Sequence, residues 1–256
     1  FLAVASVGAV WSLCSPDMGP VAVLDRFRQI EPTVLIACDG YRHGGIDQPR
    51  LPLVAELLAQ LPTVRHAIVL PHLDPGADIH ALATPPRQAH AWASLVADDV
   101  PFEPAWLPFD HPLWIVYSSG TTGAPKPIVH GHGGIVLEQL KLGTLHNDVG
   151  PSVSGGDRFH WYSSTGWIMW NCQVSGLLSG TTICLFDGSP AGPRDAPDWT
   201  TLWRFASLAG VSFFGAGAAF YASCLKADVQ PQAVADLSRL RAVGSTGSPL
   251  SDACYD

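Results

Sequence analysis

Two short apolar runs constrain the fold of this chain more than any other feature of its sequence. They are TVLIAC at 33–38 and HAIVLP at 66–71, and both are bounded by Pro, Gly or Asp. Continuous apolar runs of this length are typical of parallel strands that are covered on both faces, because such strands have no polar side to expose. A helix is predicted between them at 51–61, so the segment is expected to form a strand–helix–strand unit.

The same alternation of helix and strand signals continues along the chain in two series. The first series is helix 1–12, helix 20–30, strand 33–38, helix 51–61 and strand 66–71. The second series is strand 113–118, helix 134–146, strand 158–163, helix 166–179, strand 181–186, helix 198–209, strand 211–214, helix 216–227 and strand 240–244. Residues 72–112 are rich in Pro, Asp, His and Ala and indicate an extended connection with one helix near 88–97. We therefore predict an α/β fold of two mostly parallel sheets flanked by helices, with subdomains at 1–110 and 111–256.

Composition excludes several classes of function. The chain has 256 residues, of which 47% are hydrophobic and 14% charged, so it can bury a substantial core. Its net charge is -8 and it has only 14 Lys and Arg residues, which argues against a nucleic-acid partner. Six cysteines without a CxxC pair indicate neither a zinc site nor a disulfide framework, and they favour the reduced thiols of a cytoplasmic protein. The apolar opening segment lacks a basic region and is too short to span a bilayer, so we interpret it as a buried helix and expect no membrane partner.

A loop of small and hydroxyl residues follows the apolar strand in WIVYSSGTTGAPKPIVHGHGG, Trp114 to Gly134. Small residues let backbone N–H groups approach an anion, and Lys126 adds a positive charge, so the loop is typical of a phosphate site. It is not a Walker A loop, because Lys126 follows Gly123 by three residues and Pro127 stands where a Mg-binding Ser or Thr would be. Pro125 and Pro127 also disfavour a helix that begins directly at the loop.

This loop resembles the signature [ST]SGTTGxPK of the adenylate-forming superfamily, which includes acyl-CoA synthetases, luciferases and the adenylation domains of peptide synthetases. The alternative of a Ser/Gly-rich solvent turn does not account for the strand, the hydroxyl pairs, the glycines and the Pro-Lys-Pro in one run. The resemblance implies that the loop holds the phosphates of ATP, with Lys126, Thr121 and Thr122 in catalytic roles. The implied phosphate-binding residues are Ser118, Ser119, Gly120, Thr121, Thr122, Gly123 and Lys126.

An aromatic segment, RFHWYSSTGWIMWN at 158–171, is the second candidate. It reads as a strand, a turn of small residues and the start of an apolar helix, which places aromatic side chains at the end of a strand, where α/β sheets bind ligands. Core packing is the favoured alternative for Trp161 and Trp170 taken alone. The resemblance implies that Trp167 is the aromatic residue beside the acyl group and that Ile168 and Met169 line the acyl and pantetheine channels.

A glycine turn, GSTGSPLS at 244–251, is the third candidate and is weak evidence by itself. It resembles the GxxGxPL element of the same superfamily, whose backbone lies along the adenine of the bound nucleotide. The resemblance implies that Gly247, Ser248 and Pro249 bind adenine.

Within the superfamily, VHGHGGIVLEQLK and WYSSTGWIMWN resemble the acetoacetyl-CoA synthetase branch more than the acetyl-CoA synthetases. The resemblance implies ligation of acetoacetate to CoA through an acyl-adenylate, with ATP and Mg²⁺ required, CoA as co-substrate, and AMP and pyrophosphate released. Arg42 aligns with a residue that contacts a CoA phosphate, but Gly45 stands where a second Arg is expected, and a solvated surface Arg is the alternative. His130 and His132 are assigned to the shape of the loop, and no metal ligand from the protein is predicted.

The chain begins without Met, inside an apolar pattern, and is expected to be an internal fragment of a large N-terminal domain. The resemblance implies a downstream Tyr-Gly-x-Thr-Glu element, a ribose-binding Asp, a hinge and a small C-terminal domain that carries the adenylation Lys. We therefore expect the 256 residues to be inactive alone and to bind nucleotide weakly at most. Three alternatives stay open: another short-chain acyl-CoA synthetase, a P-loop kinase or NTPase, and a nucleotide-binding protein or scaffold without ligase activity.

Overall fold

The computed structural model describes residues 1–97, 99–118 and 123–255. Contacts between residues divide the chain into two compact units, Phe1–His132 and Gly133–Asp256. This division follows His132, whereas the change in composition predicted one near residue 110, because the strands that flank the small-residue loop pair with each other. The subdomains at 1–110 and 111–256 stay a prediction.

The first unit contains short helices and three groups of strands. Its helices are α1 (Leu2–Ser6), α2 (Pro20–Ile30), α3 (Leu51–Ala59) and α4 (Trp92–Leu95), with a 3₁₀ turn at His80–Leu82. Its strands are β1 (Trp11–Ser12), β2 (Val34–Cys38), β3 (Gly40–His43), β4 (Ile46–Pro49), β5 (His66–Leu70), β6 (Gln88–Ala91), β7 (Pro112–Ser118) and β8 (Lys126–Gly131). Strands β2, β5 and β6 form a parallel sheet, and β3 and β4 form an antiparallel hairpin. In the sheet β1-β7-β8, β1 runs parallel to β7 and β8 runs antiparallel to it.

Helices α2 and α3 cover one face of the β2-β5-β6 sheet. Helix α2 starts with Pro20 in its first turn, where a missing N–H costs nothing, and it ends where Glu31 turns left-handed. The buried side chains of this layer are Val23, Leu24, Phe27, Val54, Leu57 and Leu58 from the helices and Leu35, Ala67 and Val69 from the sheet. The predicted helix 20–30 and both predicted strands are therefore present.

A buried carboxylate ties two of these strands together. Asp39 follows β2, and its oxygens accept the backbone N–H groups of His72, Leu73 and Asp74 at 2.6 to 3.2 Å. Burial by itself raises the pKa of Asp39, but the hydrogen bonds from Leu73, Asp74 and His72 outweigh it and hold the pKa below its usual value. The carboxylate thereby fixes the chain that leaves β5 beside the end of β2.

The sequence predictions for this unit differ from the structure in four places. The predicted helix near 88–97 begins only at Trp92, because Gln88–Ala91 pair with β5 as a strand. The predicted helix 1–12 ends at Ser6, because Gly8 takes a left-handed conformation and Trp11–Ser12 instead pair with β7. The hairpin β3–β4 was not predicted, although its Gly44–Gly45 turn, with both residues at positive φ, is a hairpin signal. Strand β8 was also missed, because Pro125 before it and Pro127 within it were interpreted as part of the loop.

The second unit is built on one parallel sheet of order β10-β9-β11-β12. Its strands are β9 (Arg158–Trp161), β10 (Thr182–Ile183), β11 (Phe213–Gly217) and β12 (Ala242–Thr246). Its helices are α5 (His132–Lys141), α6 (Ile168–Ser175), α7 (Thr201–Ala209), α8 (Ala218–Lys226) and α9 (Pro231–Val234), with a π turn at Leu142–His146 and 3₁₀ turns at Gly176–Ser179 and Asp252–Cys254. Helix α5 begins at the last residue of the first unit.

Both faces of this second sheet are covered. Adjacent residues of a strand point to opposite faces, and accordingly Phe213 belongs to a cluster with Phe159 and Trp161, whereas Phe214 belongs to one with Leu202 and Trp203. The predicted α/β fold with parallel, helix-flanked sheets is confirmed. Among the described residues, no helix combines the length and apolar character needed to cross a membrane.

Candidate functional site

The predicted phosphate loop connects the two strands of the β7–β8 hairpin. Ser118 ends β7 and pairs directly with Lys126, the first residue of β8. Gly123 and Lys126 are exposed, and a Cβ added at Gly123 would have no heavy atom within 4 Å. Ser119, Gly120, Thr121 and Thr122 lie outside the described residues, so their roles stay predictions. The described ends of the loop thus leave Lys126 open to a ligand.

Helix α2 braces both ends of this loop. On the β7 side, the Tyr117 hydroxyl donates to the Arg26 carbonyl at 3.1 Å, and the Arg26 guanidinium lies 5.6 Å from the Tyr117 ring centre. On the β8 side, the Gln29 amide donates to the Pro125 carbonyl at 2.9 Å. The loop therefore starts and ends on a fixed frame.

His130 and His132 belong to the frame of the hairpin. The Trp114 indole N–H donates to Nδ1 of His130 at 2.9 Å, and the His132 backbone N–H donates to the His111 carbonyl at 2.9 Å. The rings of His111 and His132 are 5.8 Å apart, and burial, then the neighbouring His111, lowers the pKa of His132. These contacts support the shaping role assigned to both residues.

The two other candidate segments leave the same edge of the second sheet. Strand β9 ends at Trp161, which is in register with Gly215 of β11, and Gly217 of β11 is in register with Thr246 at the end of β12. All of these strands are parallel, so the turn after β9 and the turn after β12 both emerge at their carboxyl ends. This is the edge at which α/β sheets bind ligands.

The aromatic turn after β9 presents two of its three candidate residues to solvent. Trp167 caps the start of α6 and is 50% exposed, and Ile168 is 39% exposed. Met169 instead packs against the buried cluster of Phe159 and Trp161. Trp167 and Ile168 are therefore available to line a pocket, and the role of Met169 as a lining residue stays a prediction.

The glycine turn after β12 depends on its backbone conformation. Gly247 has φ +95°, which non-glycine residues rarely adopt, and a Cβ there would meet nothing within 4 Å. Ser248 and Pro249 are exposed, and the strand behind them is held by the Tyr221 hydroxyl, which donates to the Gly244 carbonyl at 2.7 Å. An open, left-handed turn of this kind allows a flat ligand to approach the backbone closely, and the adenine contact of Gly247, Ser248 and Pro249 stays a prediction.

The sequence reasoning missed a tight packing arrangement beneath this edge. A Cβ on Gly215 would lie 2.1 Å from Cε3 of Trp161, and a Cβ on Gly244 would lie 2.7 Å from Cζ3 of the same ring. The indole therefore lies directly across β11 and β12, where only glycine leaves room. The signal was present as two strand glycines, in FFGAG and AVGST, next to an aromatic strand.

The predicted CoA contact, Arg42, lies on the exposed β3–β4 hairpin. Its Nε and Nη2 donate to the two carboxylate oxygens of Asp47 at 2.5 and 2.9 Å, and this contact raises the pKa of Arg42. Gly45 occupies the turn at φ +81°. Because Asp47 already pairs the guanidinium, the geometry favours the alternative of a surface Arg, and the CoA contact stays a prediction.

Strand β9 also carries a histidine on the face opposite Trp161. His160 is 1% exposed, its Nδ1–H donates to the Cys184 carbonyl at 2.8 Å, and its ring lies against Phe205 and Phe214. Burial lowers the pKa of His160 to about 4, although the Cys184 hydrogen bond acts in the opposite direction. His160 is therefore a neutral core residue at pH 7 and not a general base.

This burial predicts an acid-dependent loss of stability. The unfolded chain protonates His160 near pH 6.5, whereas the folded chain does so only near pH 4, so the unfolded state binds more protons between these values. Stability should fall as the pH drops through this window, by up to about 3 kcal/mol from this group. Urea unfolding from pH 7.5 to 4 should show a flatter pH dependence for His160→Asn, which keeps a donor for Cys184 but does not titrate. Parallel curves for both proteins would contradict the assignment.

No group of three or more His, Cys, Asp or Glu residues within 1–97, 99–118 and 123–255 could hold a metal ion. All six cysteines are free thiols.

Known proteins resemble this chain in both sequence and fold. The family model described as "AMP-binding enzyme" matches residues 1–256. Acetoacetyl-coenzyme A synthetase of Rhizobium meliloti is 42% identical over 98% of this chain and 37% of its own length. Acetoacetyl-CoA synthetase of Gallus gallus is 36% identical over 100% of this chain and 38% of its own length. The solved structure of acetoacetyl-CoA synthetase from Streptomyces lividans is 49% identical and superposes with a TM-score of 0.87 over 99% of this chain and 37% of that one.

The family match includes every candidate segment: the loop between β7 and β8, the aromatic turn after β9 and the glycine turn after β12. The chain spans a little over a third of the length of these relatives. Since the family model extends over the whole sequence and the fold agrees with that of a solved relative, this chain belongs to the AMP-binding enzyme family.

Proposed function

We propose that this chain forms part of an ATP-dependent acid–thiol ligase that joins acetoacetate to CoA. The observation that carries the proposal is that acetoacetyl-CoA synthetases match the chain across all three candidate segments. The geometry supports it, because the aromatic turn and the glycine turn leave one edge of a parallel sheet, where an acid and a nucleotide could bind side by side. ATP with its Mg²⁺, acetoacetate and CoA are the proposed partners.

The reaction needs no covalent enzyme intermediate. A carboxylate oxygen of acetoacetate attacks the α-phosphorus of ATP, the bond to the β-phosphate oxygen breaks, and pyrophosphate leaves. The CoA thiolate then attacks the acyl carbon of the adenylate and displaces AMP. The protein contributes by positioning the substrates and by stabilising charge: Lys126, with the hydroxyl residues predicted at 118–122, would hold the β- and γ-phosphates.

The side chains at the sheet edge have separate roles in this proposal. Trp167 and Ile168 would form the apolar wall beside the acyl chain, with Met169 behind them. Gly247, Ser248 and Pro249 would lie along the adenine ring. Cytoplasmic localisation is also part of the proposal, and the six free thiols support it.

The full-length gene product should be assayed for acid-dependent release of pyrophosphate with acetoacetate, acetate, propionate and butyrate. Acetoacetate is expected to give the highest kcat/KM. A higher value with another acid would favour the alternative of a different short-chain acyl-CoA synthetase. Formation of ADP instead of AMP would favour a kinase, and ATP binding without any acid-dependent turnover would favour a nucleotide-binding protein that is not a ligase.

Replacing Lys126 tests the role of the loop in this reaction. Lys126→Ala should lower kcat/KM for acetoacetate about 100-fold, which is typical for loss of one group that stabilises developing charge. Lys126→Arg should retain more activity, because it keeps the charge. The matched control is Lys141→Ala, on the exposed side of α5, where Lys141 pairs with Glu138 at 2.7 Å. Equal activity of Lys126→Ala and the control would overturn the assignment.

A further inference from the structure

Two histidine rings contact each other directly on the β2-β5-β6 sheet of the first unit. Nδ1 of His66 lies 3.2 Å from Nε2 of His90, and the ring centres are 5.4 Å apart. His66 is opposite Gln88 in the parallel ladder and His90 is opposite Ile68, so the two histidines are diagonal neighbours on one face. Ala67 follows His66 and Ala89 precedes His90, and both belong to the core formed with α2 and α3, so the two histidines lie on the other face of the sheet.

The spacing of the two nitrogens matches that of a metal chelate. Imidazole nitrogens bind Zn²⁺ at about 2.0–2.1 Å, so two of them on one ion, at angles between about 90° and 109°, are about 2.8 to 3.4 Å apart. The observed 3.2 Å lies within this range. Both side chains stand on strands held in register by their ladder, so little backbone freedom would be lost when an ion binds.

We propose that His66 and His90 form a two-imidazole site for a borderline divalent ion such as Ni²⁺, Cu²⁺ or Zn²⁺, with water in the remaining positions. Imidazole nitrogen suits these ions, whereas Mg²⁺ prefers oxygen ligands, so the site would not take the ion that accompanies ATP. In the metal-free pair one nitrogen donates a proton to the other. When an ion binds, that proton moves to the other nitrogen of its own ring. The lone pairs of His66 Nδ1 and His90 Nε2 can then both bind the ion. Both rings stay neutral, so no proton is released.

The site has two protein ligands, since no group of three or more suitable side chains occurs among the residues described. Its affinity should consequently follow the order Ni²⁺ < Cu²⁺ > Zn²⁺ that is common to nitrogen sites. Because both histidines are needed for chelation, the loss of either should have the same effect as the loss of both. That dependence distinguishes a chelate from two independent surface histidines.

The test is titration of the 256-residue chain with Ni²⁺ by calorimetry, together with Cu²⁺ electron paramagnetic resonance to count coordinated nitrogens. His66→Gln, His90→Gln and the double variant should each lose at least tenfold in Ni²⁺ affinity and to the same extent. The Cu²⁺ spectrum of the unaltered chain should show two coupled nitrogens that are absent from the variants. The matched control is His43→Gln, which removes an exposed strand histidine outside the pair and should change neither measurement.

Two results would overturn the proposal. One is Ni²⁺ affinity that is unchanged in the double variant, which would place binding on other histidines or on cysteines. The other is a set of single variants whose small effects add up in the double variant, because additive losses indicate two independent rings. Thermal unfolding without metal verifies that every variant is folded, so an unfolded protein cannot produce either result.

Discussion

Gly215→Ala should destabilise the second unit by about 3 kcal/mol or more, an effect at or above the upper end for overpacked cores. The added methyl carbon would lie 2.1 Å from Cε3 and 2.2 Å from Cδ2 of the Trp161 indole. Neither group can yield easily, since Trp161 is 7% exposed and packs against Phe213, and β11 is bonded to strands on both sides. Relief would require the indole to leave its site, which would also disturb the turn that carries Trp167.

The measurement is the free energy of unfolding in urea, with Gly217→Ala as the matched control. Gly217 is on the same strand, and a Cβ there would meet only the Thr246 carbonyl at an ordinary 3.8 Å, so this change should alter stability little. A second check is the double variant Trp161→Ala, Gly215→Ala: without the indole, the Gly215 substitution should cost far less than it does alone. Equal costs in both backgrounds would show that the indole is not what excludes the side chain.

The elements that sequence predicted best are those whose signals are local. Helix α2 begins at Pro20 and ends at Ile30, as its proline start and apolar spacing indicate. Strand β2 is short and fully apolar, β5 is apolar after His66, and their parallel pairing follows from the helix between them. In these segments the propensity, the periodicity and the turn residues all favour the same structure.

The elements that sequence predicted poorly are those fixed by distant partners. Trp11 and Ser12 form a strand because β7, about a hundred residues later, offers them an edge, and nothing within residues 1–12 reveals it. Predicted strand 181–186 shortens to Thr182–Ile183 because only these residues pair with β9. Lys126–Gly131 forms a strand because β7 pairs with it, which local loop-like composition concealed.

The candidate site shows the same division. Motif spacing located the loop, the aromatic turn and the glycine turn, and the structure brings the last two to one sheet edge. Motif spacing could not show that Met169 faces the core, that Asp47 pairs with the Arg42 guanidinium, or that Trp161 requires two glycines. Each of these depends on which side chain lies opposite in the folded chain.

Asp157 organises the amino-terminal edge of the second sheet, at the opposite end from the candidate site. Its Oδ1 accepts from the Ser212 hydroxyl at 2.7 Å and from Nε of Arg241 at 3.0 Å. Its Oδ2 accepts from the Gly150 backbone N–H at 2.9 Å and from Nη2 of Arg241 at 3.1 Å. One carboxylate therefore joins the loop before β9 to the residues that lead into β11 and β12.

Asp157→Ala should destabilise the chain by about 3 to 4 kcal/mol, because it leaves the Ser212, Gly150 and Arg241 donors without their acceptor. This loss of stability lies in the lower part of the range expected when one partner of a buried ion pair is removed. The Arg241 side chain is 36% exposed, so water can hydrate it once the carboxylate is gone. Asp157→Asn should cost less but still measurably, as it keeps the shape and loses the charge. Asp195→Ala, at an exposed position, should remain within about 0.5 kcal/mol of the unaltered chain.

The effect of Asp157 should also depend on pH in a defined direction. Burial by itself raises the pKa of Asp157, but hydrogen bonds from Arg241, Gly150 and Ser212 outweigh it and hold the pKa below its usual value. The ionised Asp157 carboxylate therefore contributes fully to the free energy of unfolding above its unfolded-state pKa of 3.8. This contribution is lost as the pH falls through the lower pKa of the folded state. Unfolding in urea at pH 7, 4.5 and 3 should show the gap between the unaltered chain and Asp157→Asn narrowing only at the lowest pH. A gap of constant size down to pH 3 would contradict the lowered pKa of Asp157 in the folded chain.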